Sequence, residues 1–593
     1  MVRATFAGFS TALSAIQANQ KRLDVTGQNL SNMNTPGYTR QQLEVSSLNY
    51  TRPVSHYMNG SEVVVGFGVR MDKVSQIRDP FLDTQYRNQI KKSAYTDAMQ
   101  TSLDRLADIF DETKIKGIRQ AFDNIQEALN GMQDPAKIND PVYESELRSK
   151  MQALTNLLND ASKQLTESEK AEFSKLDGTG TSENGAVQEV NRILQQIGSL
   201  NRQIKQNQIL GQQSLELMDE RNLLLDELAS YIPIEVTYYK DKFHDGLDDN
   251  GNPDPAFDSE VYHYNGDTRL DRKEWPDDLR VEMVYQDENG VSQRLLLVEG
   301  TAGAGNENYG QFEITPPLEK NDPFDASKIE LTITAAAVDK FGKTRGETVT
   351  FTQGDLGSNA NQLPSDSGSI QSSLDMLWKD GETAGRDDVK GYQYYRNEID
   401  SLAASFAAVM NTINIKGNNG QADAFLLVNK TGNPGANAGI TAGNIGINDK
   451  WSSGDVHVGK YGDSATDTVL ELLEAMSTTF PSNKDFFKDM QYEDANGTMV
   501  DINLRGNSFA DYMNHVSTTL ANDSRNNADA LKTNVTVLNG IQNSRDSISG
   551  VSLNEEASNM MMYMSAYNAA SRLMTTLDEA LNTLINGTGL VGR

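Results

Sequence analysis

Five histidines, His56, His244, His263, His457 and His515, are the only imidazoles, and no two of them form the i, i+4 pair of a helical zinc site. Cysteine is absent, so there is no thiolate nucleophile, no thiolate ligand and no disulfide. The acidic run 245–254 comes nearest to a calcium loop, which needs oxygen ligands at positions 1, 3 and 5 ahead of a glycine at 6. With Gly251 at position 6, position 1 falls on Gly246, where a carboxylate belongs. The run therefore reads as a solvated acidic turn. Gly303-Ala304-Gly305 lacks the third glycine of a dinucleotide loop. Gly462-Asp463-Ser464 has no glycine after its serine and sits where a helix is expected to begin. No catalytic, cofactor-binding or metal-ligating residue is expected, and the chain reads as a non-enzyme.

What remains is a chain built to pack. It has 593 residues, enough for several domains. Lys plus Arg is 53 and Asp plus Glu is 83, a formal charge of −30. That balance argues against nucleic acid or an anionic membrane as partner, because phosphate contacts need clustered cations. A hydrophobic fraction of 37% points to a partly elongated or loop-rich molecule. No run is long and apolar enough for a membrane span. Arg3 followed by residues 4–16 resembles a signal peptide only superficially, because the helical stripe continues past any cleavage point, so no removable signal is expected.

That stripe is Phe6, Phe9, Leu13, Ile16, Gln20, Leu23, Gly27 and Leu30, in alternating steps of three and four. The helix should stop near 31–34, where Asn32 and Asn34 tolerate a left-handed cap and Pro36 forbids continuation. Pro36-Gly37 suits the centre of a type II turn. Short strands are expected over 60–78. Narrow apolar stripes then mark long packed helices. One runs from Met99 to Met132 with a break at Gly117, one from Leu147 to Leu165, and one from Val187 to Leu225. After Pro233 the composition changes, and period-two runs such as 280–285 and 329–334 predict a β-rich insertion that assembly could dispense with. Helix returns over 391–415; 417–455 is loop-like, and 466–476 is a short helix.

From Phe509 the chain reads as helix almost to its end, interrupted at Gly550. Ser552-Leu553-Asn554-Glu555 has the pattern of a capping box, with Glu556 adding charge near the positive helix end. The last helix has a wide apolar face including Met560, Met564, Tyr567, Leu573, Met574, Leu577, Leu581 and Leu584. Methionine suits irregular packing surfaces, so this face and the first stripe are read as an axial self-assembly interface. The expected fold is multidomain: a long α-helical bundle core formed by the N- and C-terminal parts of the chain, with inserted β-rich outer domains. The expected units are an axial helix and turn (1–50), three parts of a helical core (51–232, 366–416 and 506–548), a β-rich insertion (233–365), a second insertion (417–505) and a C-terminal axial helix (549–593).

Residues 12–20 and the stretch Gln28-Asn29-Leu30-Ser31-Asn32-Met33-Asn34-Thr35-Pro36-Gly37-Tyr38-Thr39-Arg40 resemble the N-terminal signature of flagellar rod, hook and hook-associated axial proteins. Gly66-Phe67-Gly68-Val69 followed by 77–82 resembles the next block of that family. The helix 218–228 (Met-Asp-Glu-Arg-Asn-Leu-Leu-Leu-Asp-Glu-Leu) and the block 549–559 around Ser552, Leu553, Glu555 and Glu556 look like hook-associated members in particular. The resemblance covers both ends and the helical middle but not 234–365 or 417–505. It implies a structural subunit of the bacterial flagellum that self-assembles as the junction between hook and filament, outside the cell and without catalysis. It implies as partners copies of itself in a ring, the hook protein, a second junction protein on the filament side, an export chaperone and the type III export apparatus. It implies no cofactor. Another axial protein such as the hook subunit, or a ligand-binding module in 233–365, remain the alternatives.

Overall fold

A computed structural model describes residues 7–48, 68–110, 112–134, 137–138, 140–178, 184–240, 277–287, 290–299, 308–316, 324–336, 346–353, 361–364, 366–381, 389–459, 465–494 and 497–588. The chain opens with α1 (Ala7–Ser31), β1 (Gln41–Ser47) and β2 (Val69–Gln76), and closes with α12 (Leu553–Thr588). Between them run α2 (Pro80–Ile109), α3 (Glu112–Gly131), α4 (Pro141–Asp177), α5 (Ala186–Ile209), α6 (Leu215–Tyr231), α7 (Ser369–Trp378), α8 (Tyr392–Gly417), α9 (Asp449–Ser453), α10 (Ala465–Ser477) and α11 (Phe509–Ser549). The strands among them are β3 (Ile234–Lys240), β4 (Asp277–Gln286), β5 (Ser292–Glu299), β6 (Gln311–Thr315), β7 (Glu330–Thr334), β8 (Thr348–Thr352), β9 (Leu427–Asn429), β10 (Ile445–Ile447), β11 (Gln491–Glu493) and β12 (Met499–Asp501).

Local chemistry sets the helix ends. Asp79 and Asp140 cap α2 and α4 through their side chains, each followed by a proline at the first helical position, where no amide is needed. The break expected at Gly117 falls earlier, at Phe110, and Gly117 lies inside α3. The stripe Val187–Leu225 is not one helix: Gly211 and Ser214, both left-handed, divide it into α5 and α6.

The predicted stripes form two cores. In the first, Met99, Leu103, Leu106, Phe122, Ile125, Leu129, Leu147, Met151, Leu154 and Leu158 pack with Phe406 and Val409 of α8 and with Phe509, Tyr512 and Met513 at the start of α11. The segment expected as a loop-like second insertion belongs to this core. Asn411, Asn414 and Asn418 on one face of α8 supply its buried backbone with partners: Asn411 Nδ2 donates to the Leu427 carbonyl (2.7 Å) and its Oδ1 accepts from the Leu426 and Leu427 amides.

The second core joins helices to strands. Antiparallel sheets β3-β4-β5 and β6-β7-β8 turn Val281, Met283, Leu295, Leu297, Phe312, Leu331 and Phe351 towards Val190, Ile193, Leu194 and Ile197 of α5 and Leu225 and Leu228 of α6. The β-rich segment is inserted between helices, but it does not bury its apolar face on itself. It shares that face with α5, α6 and α7.

Beyond Leu520 little of α11 is buried, and Leu531, Val535, Leu538 and Ile541 of its expected stripe are half-buried or exposed. It runs antiparallel to α2 on a polar seam. Gln100 Nε2 donates to Ser524 Oγ (2.9 Å), Asn527 Nδ2 to the Thr96 carbonyl (2.9 Å), and Gln89 Nε2 to the Asn534 carbonyl (3.1 Å).

Candidate functional site

The first and last helices are zipped together. A Cβ at Gly8 would meet Leu577 Cδ1 at 3.2 Å, the Arg22 guanidinium lies 5.3 Å from the Tyr563 ring, and Asn29 Nδ2 lies 3.3 Å from Glu556 Oε2. From Gly8 to Arg22 is two heptads, as is the return from Leu577 to Tyr563; from Arg22 to Asn29 is one, as is Tyr563 to Glu556. The pair is therefore an antiparallel coiled coil in a single register.

This register divides the predicted interface residues. Met560, Tyr567, Met574, Leu577 and Leu581 continue the heptad of Glu556, Tyr563 and Ala570 and are half-buried in the single chain. Met564 and Leu573 lie off it and are about half exposed, as are Met561 and Met562, whereas Leu584 continues the heptad of Leu577 beyond the start of α1 at Ala7. On α1 the buried residues are Ala12, Ala18, Asn19, Val25, Thr26 and Asn29, small or polar side chains that let α12 approach closely. The larger predicted residues lie off that face: Phe9, Ile16, Leu23 and Leu30 are half-buried and Leu13 is 48% exposed. Phe6 lies outside the described residues. The α1–α12 arm thus has an inner seam that closes on itself and, outside it, apolar side chains that none of the described residues covers.

The signature residues stand at the foot of this arm. The Asn32 side chain donates to the Gln28 carbonyl, and the Thr35 amide to the Asn32 carbonyl. The Tyr38 amide donates to the Thr35 carbonyl (3.2 Å) around Pro36 and Gly37, whose φ of +76° fits the third position of the expected type II turn. Tyr38 Oη then donates to Asn29 Oδ1 (3.0 Å), which also accepts from the Gln41 amide (3.0 Å). Burial pushes the Tyr38 phenol up, helped by Glu216, Asp219 and Glu556, so it stays a neutral donor.

Arg40 ties the foot together. Its amide donates to the Ser549 carbonyl (2.8 Å) and its own carbonyl accepts from Ile77 (2.8 Å). Its side chain pairs with Glu556 Oε1 (2.9 Å) and Glu555 Oε2 (2.7 Å). Glu555, expected to reach back to its own helix end in a capping box, has this oxygen on Arg40 instead, and Glu556, expected to add charge near the positive helix end, is 2% exposed. Ser552 and Leu553, at the start of α12, are exposed.

Helix α6 meets this foot from the body. Asp219 Oδ2 accepts from the Thr39 amide (3.0 Å) and Glu216 Oε1 from Gln41 Nε2 (3.2 Å). Burial pushes the Asp219 carboxyl up to about 6 against the Thr39 hydrogen bond and the Arg78 charge. Arg545 near the end of α11 bridges Asp83 (2.9 Å) and Asp226 (2.6 Å), and Arg87 also holds Asp226 (2.8 Å). A cavity of about 730 Å³ lies between these groups, with Tyr38, Arg40, Arg78, Asp219, Asp226 and Arg545 in its wall. In its wall Arg40 pairs with Glu555, Arg78 with Asp219 and Arg545 with Asp226, and Asp546 adds a further carboxylate.

Sequence reasoning placed the signatures but missed the roles of Asn29, Arg40, Asp219 and Arg545. The available signal was a charged or amide residue at a position one heptad pattern would leave apolar or solvated.

Among the described residues no group of three or more His, Cys, Asp or Glu side chains is placed to hold a metal ion. Nor is any described helix long and apolar enough to cross a membrane. His457 is held by Glu144 (2.9 Å). His56, His244, His263, the run 245–254, Gly303–Gly305 and Gly462–Ser464 lie outside the described residues.

Comparison with known proteins agrees with this layout. Residues 103–245 match the family described as the flagellar hook-associated protein FlgK helical domain. Residues 9–39 match the flagella basal body rod proteins, and 542–587 the C-terminal part of the flagellar basal body rod FlgEFG proteins. The flagellar hook-associated protein 1 of Bacillus subtilis is 27% identical over 598 residues, covering 99% of each chain. The chain is similar to a flagellar hook-associated protein along its whole length. The Escherichia coli protein of the same description is 25% identical over 234 residues, 38% of this chain and 39% of its own. A solved flagellar hook junction protein from Burkholderia pseudomallei is 17% identical, with a TM-score of 0.34 over 60% of this chain and 46% of its own.

Proposed function

We propose that this chain is the subunit that joins hook to filament in the bacterial flagellum, a structural protein and not an enzyme. The observation that carries the reading is the arm. Both chain ends close in one antiparallel coiled coil, outside whose seam Leu13, Met561, Met562, Met564 and Leu573 are exposed among the described residues. In water such a face is satisfied by neighbouring copies. Its likeness to the Bacillus subtilis hook-associated protein 1 along the whole chain supports the same role.

In this reading copies of the chain form a ring through their arms, contacting the hook protein on one side and a second junction protein on the other. Delivery is through the type III export apparatus with a chaperone, and the absence of cysteine is compatible with export as an unfolded chain. The match of 9–39 and 542–587 to rod and hook-type families also favours a second reading, a hook subunit, whereas the helical-domain match at 103–245 points to the junction. Gold-labelled antibody on purified flagella separates them. Label at a single point between hook and filament is expected; label along the hook overturns the junction reading.

A further inference from the structure

Sulfur in this chain is all thioether: there are 20 methionines and no cysteine. The methionines of the two cores, such as Met151, Met283 and Met410, are fully buried. Four others stand together at 560–564 on α12, with only Tyr563 among them. Of these, Met561 is 61% exposed, Met562 55% and Met564 52%. At 3.6 residues per turn the four point in different directions. Met560 follows the seam with Tyr563 and Tyr567, Met562 and Met564 flank it on opposite sides, and Met561 lies across the helix from it. A helix that packs on one partner keeps its apolar side chains on one side. Here α1 takes only the seam, and the other three thioethers are exposed among the described residues.

The reaction open to an exposed thioether is oxidation. The sulfur lone pair attacks one oxygen of a peroxide, and the S–O bond forms as the O–O bond breaks. With hydrogen peroxide, sulfur gives up two electrons and becomes a sulfoxide. The other oxygen leaves as water, taking the proton of the one transferred. Neither a base nor an ionised sulfur is required, so susceptibility follows exposure. No thiol in the chain competes for the oxidant. The product is polar and chiral, and it spoils a packing surface that the flexible thioether fits.

We propose that Met561, Met562 and Met564 are a peroxide-sensitive modification site, whose conversion to sulfoxides in the free subunit bars it from assembly while leaving the arm folded. The second half rests on the reading of the arm as an assembly surface. The arm survives because its seam is held by Leu577, by Arg22 on Tyr563 and by the Arg40–Glu556 pair, none of them a thioether. Met560 and Met574, half-buried in the seam, react later. The change is reversible, since sulfoxide reductases restore the thioether.

Peptide mapping by mass spectrometry, on the purified full chain treated with graded hydrogen peroxide, tests the first half. Sulfoxide should reach Met561, Met562 and Met564 before Met151, Met283 or Met410, with hydrogen-exchange protection over 7–31 and 553–588 unchanged. Core methionines oxidised as early as these three, or an arm that opens as they oxidise, overturns the proposal. In cells, Met561→Gln with Met562→Gln and Met564→Gln imitates the polarity of the sulfoxide. Met561→Leu with Met562→Leu and Met564→Leu keeps the bulk and removes the reactive sulfur. The glutamine variant should lose filament attachment and the leucine variant should keep it; Met562→Gln alone serves if the triple glutamine variant does not fold. Normal attachment by a folded glutamine variant, or loss of attachment in the leucine variant, also overturns it. Antibody label along the hook would remove the junction reading alone, because neither the map nor the attachment assay depends on where the chain sits.

Discussion

Arg40 Nε lies 2.9 Å from Glu556 Oε1, joining the loop after the first helix to the start of the last one, 516 residues away. The Glu556 side chain is 3% exposed and that of Arg40 21%. Losing the arginine strands a buried carboxylate, which costs more than the pair contributes when intact. Arg40→Ala should therefore destabilise the arm by roughly 2–3 kcal/mol, and adding Glu556→Gln should recover part of the loss. Hydrogen exchange over 7–31 and 553–588 checks this. A double variant as damaged as the sum of the singles would mean the two residues do not act as a pair.

The two apolar faces of the arm should fail differently. Leu577 faces α1, so Leu577→Asp puts an unpaired charge in the seam and should open the arm even in the monomer, at a cost of several kcal/mol. Leu13 is half exposed in the single chain, so Leu13→Asp should leave the monomer's exchange protection intact yet block incorporation into flagella. Normal filament attachment by Leu13→Asp would show that this stripe is not an assembly surface.

Residues 234–365 should not be removable without damage, although their composition alone suggests a dispensable insertion. Replacing them with a short linker uncovers Val190, Ile193, Leu194 and Ile197, each at most 4% exposed in the intact chain. The truncated protein should bind a hydrophobic dye and lose cooperative unfolding of α5 and α6. The point variant Ile193→Ala should cost about 2–4 kcal/mol in denaturant titration. A truncated protein that unfolds like the full chain would mean that α5 has another partner for this face.

Asp219 gives a pH dependence with a definite sign. Its carboxyl is pushed above the ordinary aspartate value to about 6, mainly by burial, so the folded state holds the proton more tightly than the unfolded state. The stabilisation from that proton is full below about pH 4 and is lost as pH rises through 6. Asp219→Asn keeps an oxygen for the Thr39 amide and removes the charge. It should be more stable than the native chain at pH 7.5, by about 2–3 kcal/mol, and this difference should close by pH 4. A difference that does not vary between pH 4 and 7.5 would contradict the assignment.

Much of the body was legible in the sequence, because stripes such as Met99–Met132 and Leu147–Leu165 pack on one side only and their period records it. The arm was harder to read. Its first helix has two working faces, and apolar periodicity finds the one with the larger side chains. The inner face consists of Ala12, Ala18, Asn19, Val25, Thr26 and Asn29, chosen for closeness and hydrogen bonding rather than apolar bulk. Likewise α11 meets α2 through Gln, Asn, Ser and Thr interleaved with Leu531, Leu538 and Ile541, so the expected stripe marked only part of the contacting face, and Val535 lies off it. The foot was recognisable from its signature residues, but the pairing of Arg40 with Glu556 spans nearly the whole chain and no local pattern specifies it.

The antiparallel register of the two chain ends is the central claim, and one cross-linking measurement tests it most directly. Ala15 and Ala570 fall opposite each other in the register set by Arg22–Tyr563 and Gly8–Leu577. In this cysteine-free chain, Ala15→Cys with Ala570→Cys should form an intramolecular disulfide under mild oxidation, whereas Ala15→Cys with Leu584→Cys, two heptads out of register, should not. The in-register disulfide form should still enter flagella and support filament attachment. Absence of the in-register disulfide, equal cross-linking of both pairs, or a cross-linked subunit that never incorporates would contradict the account.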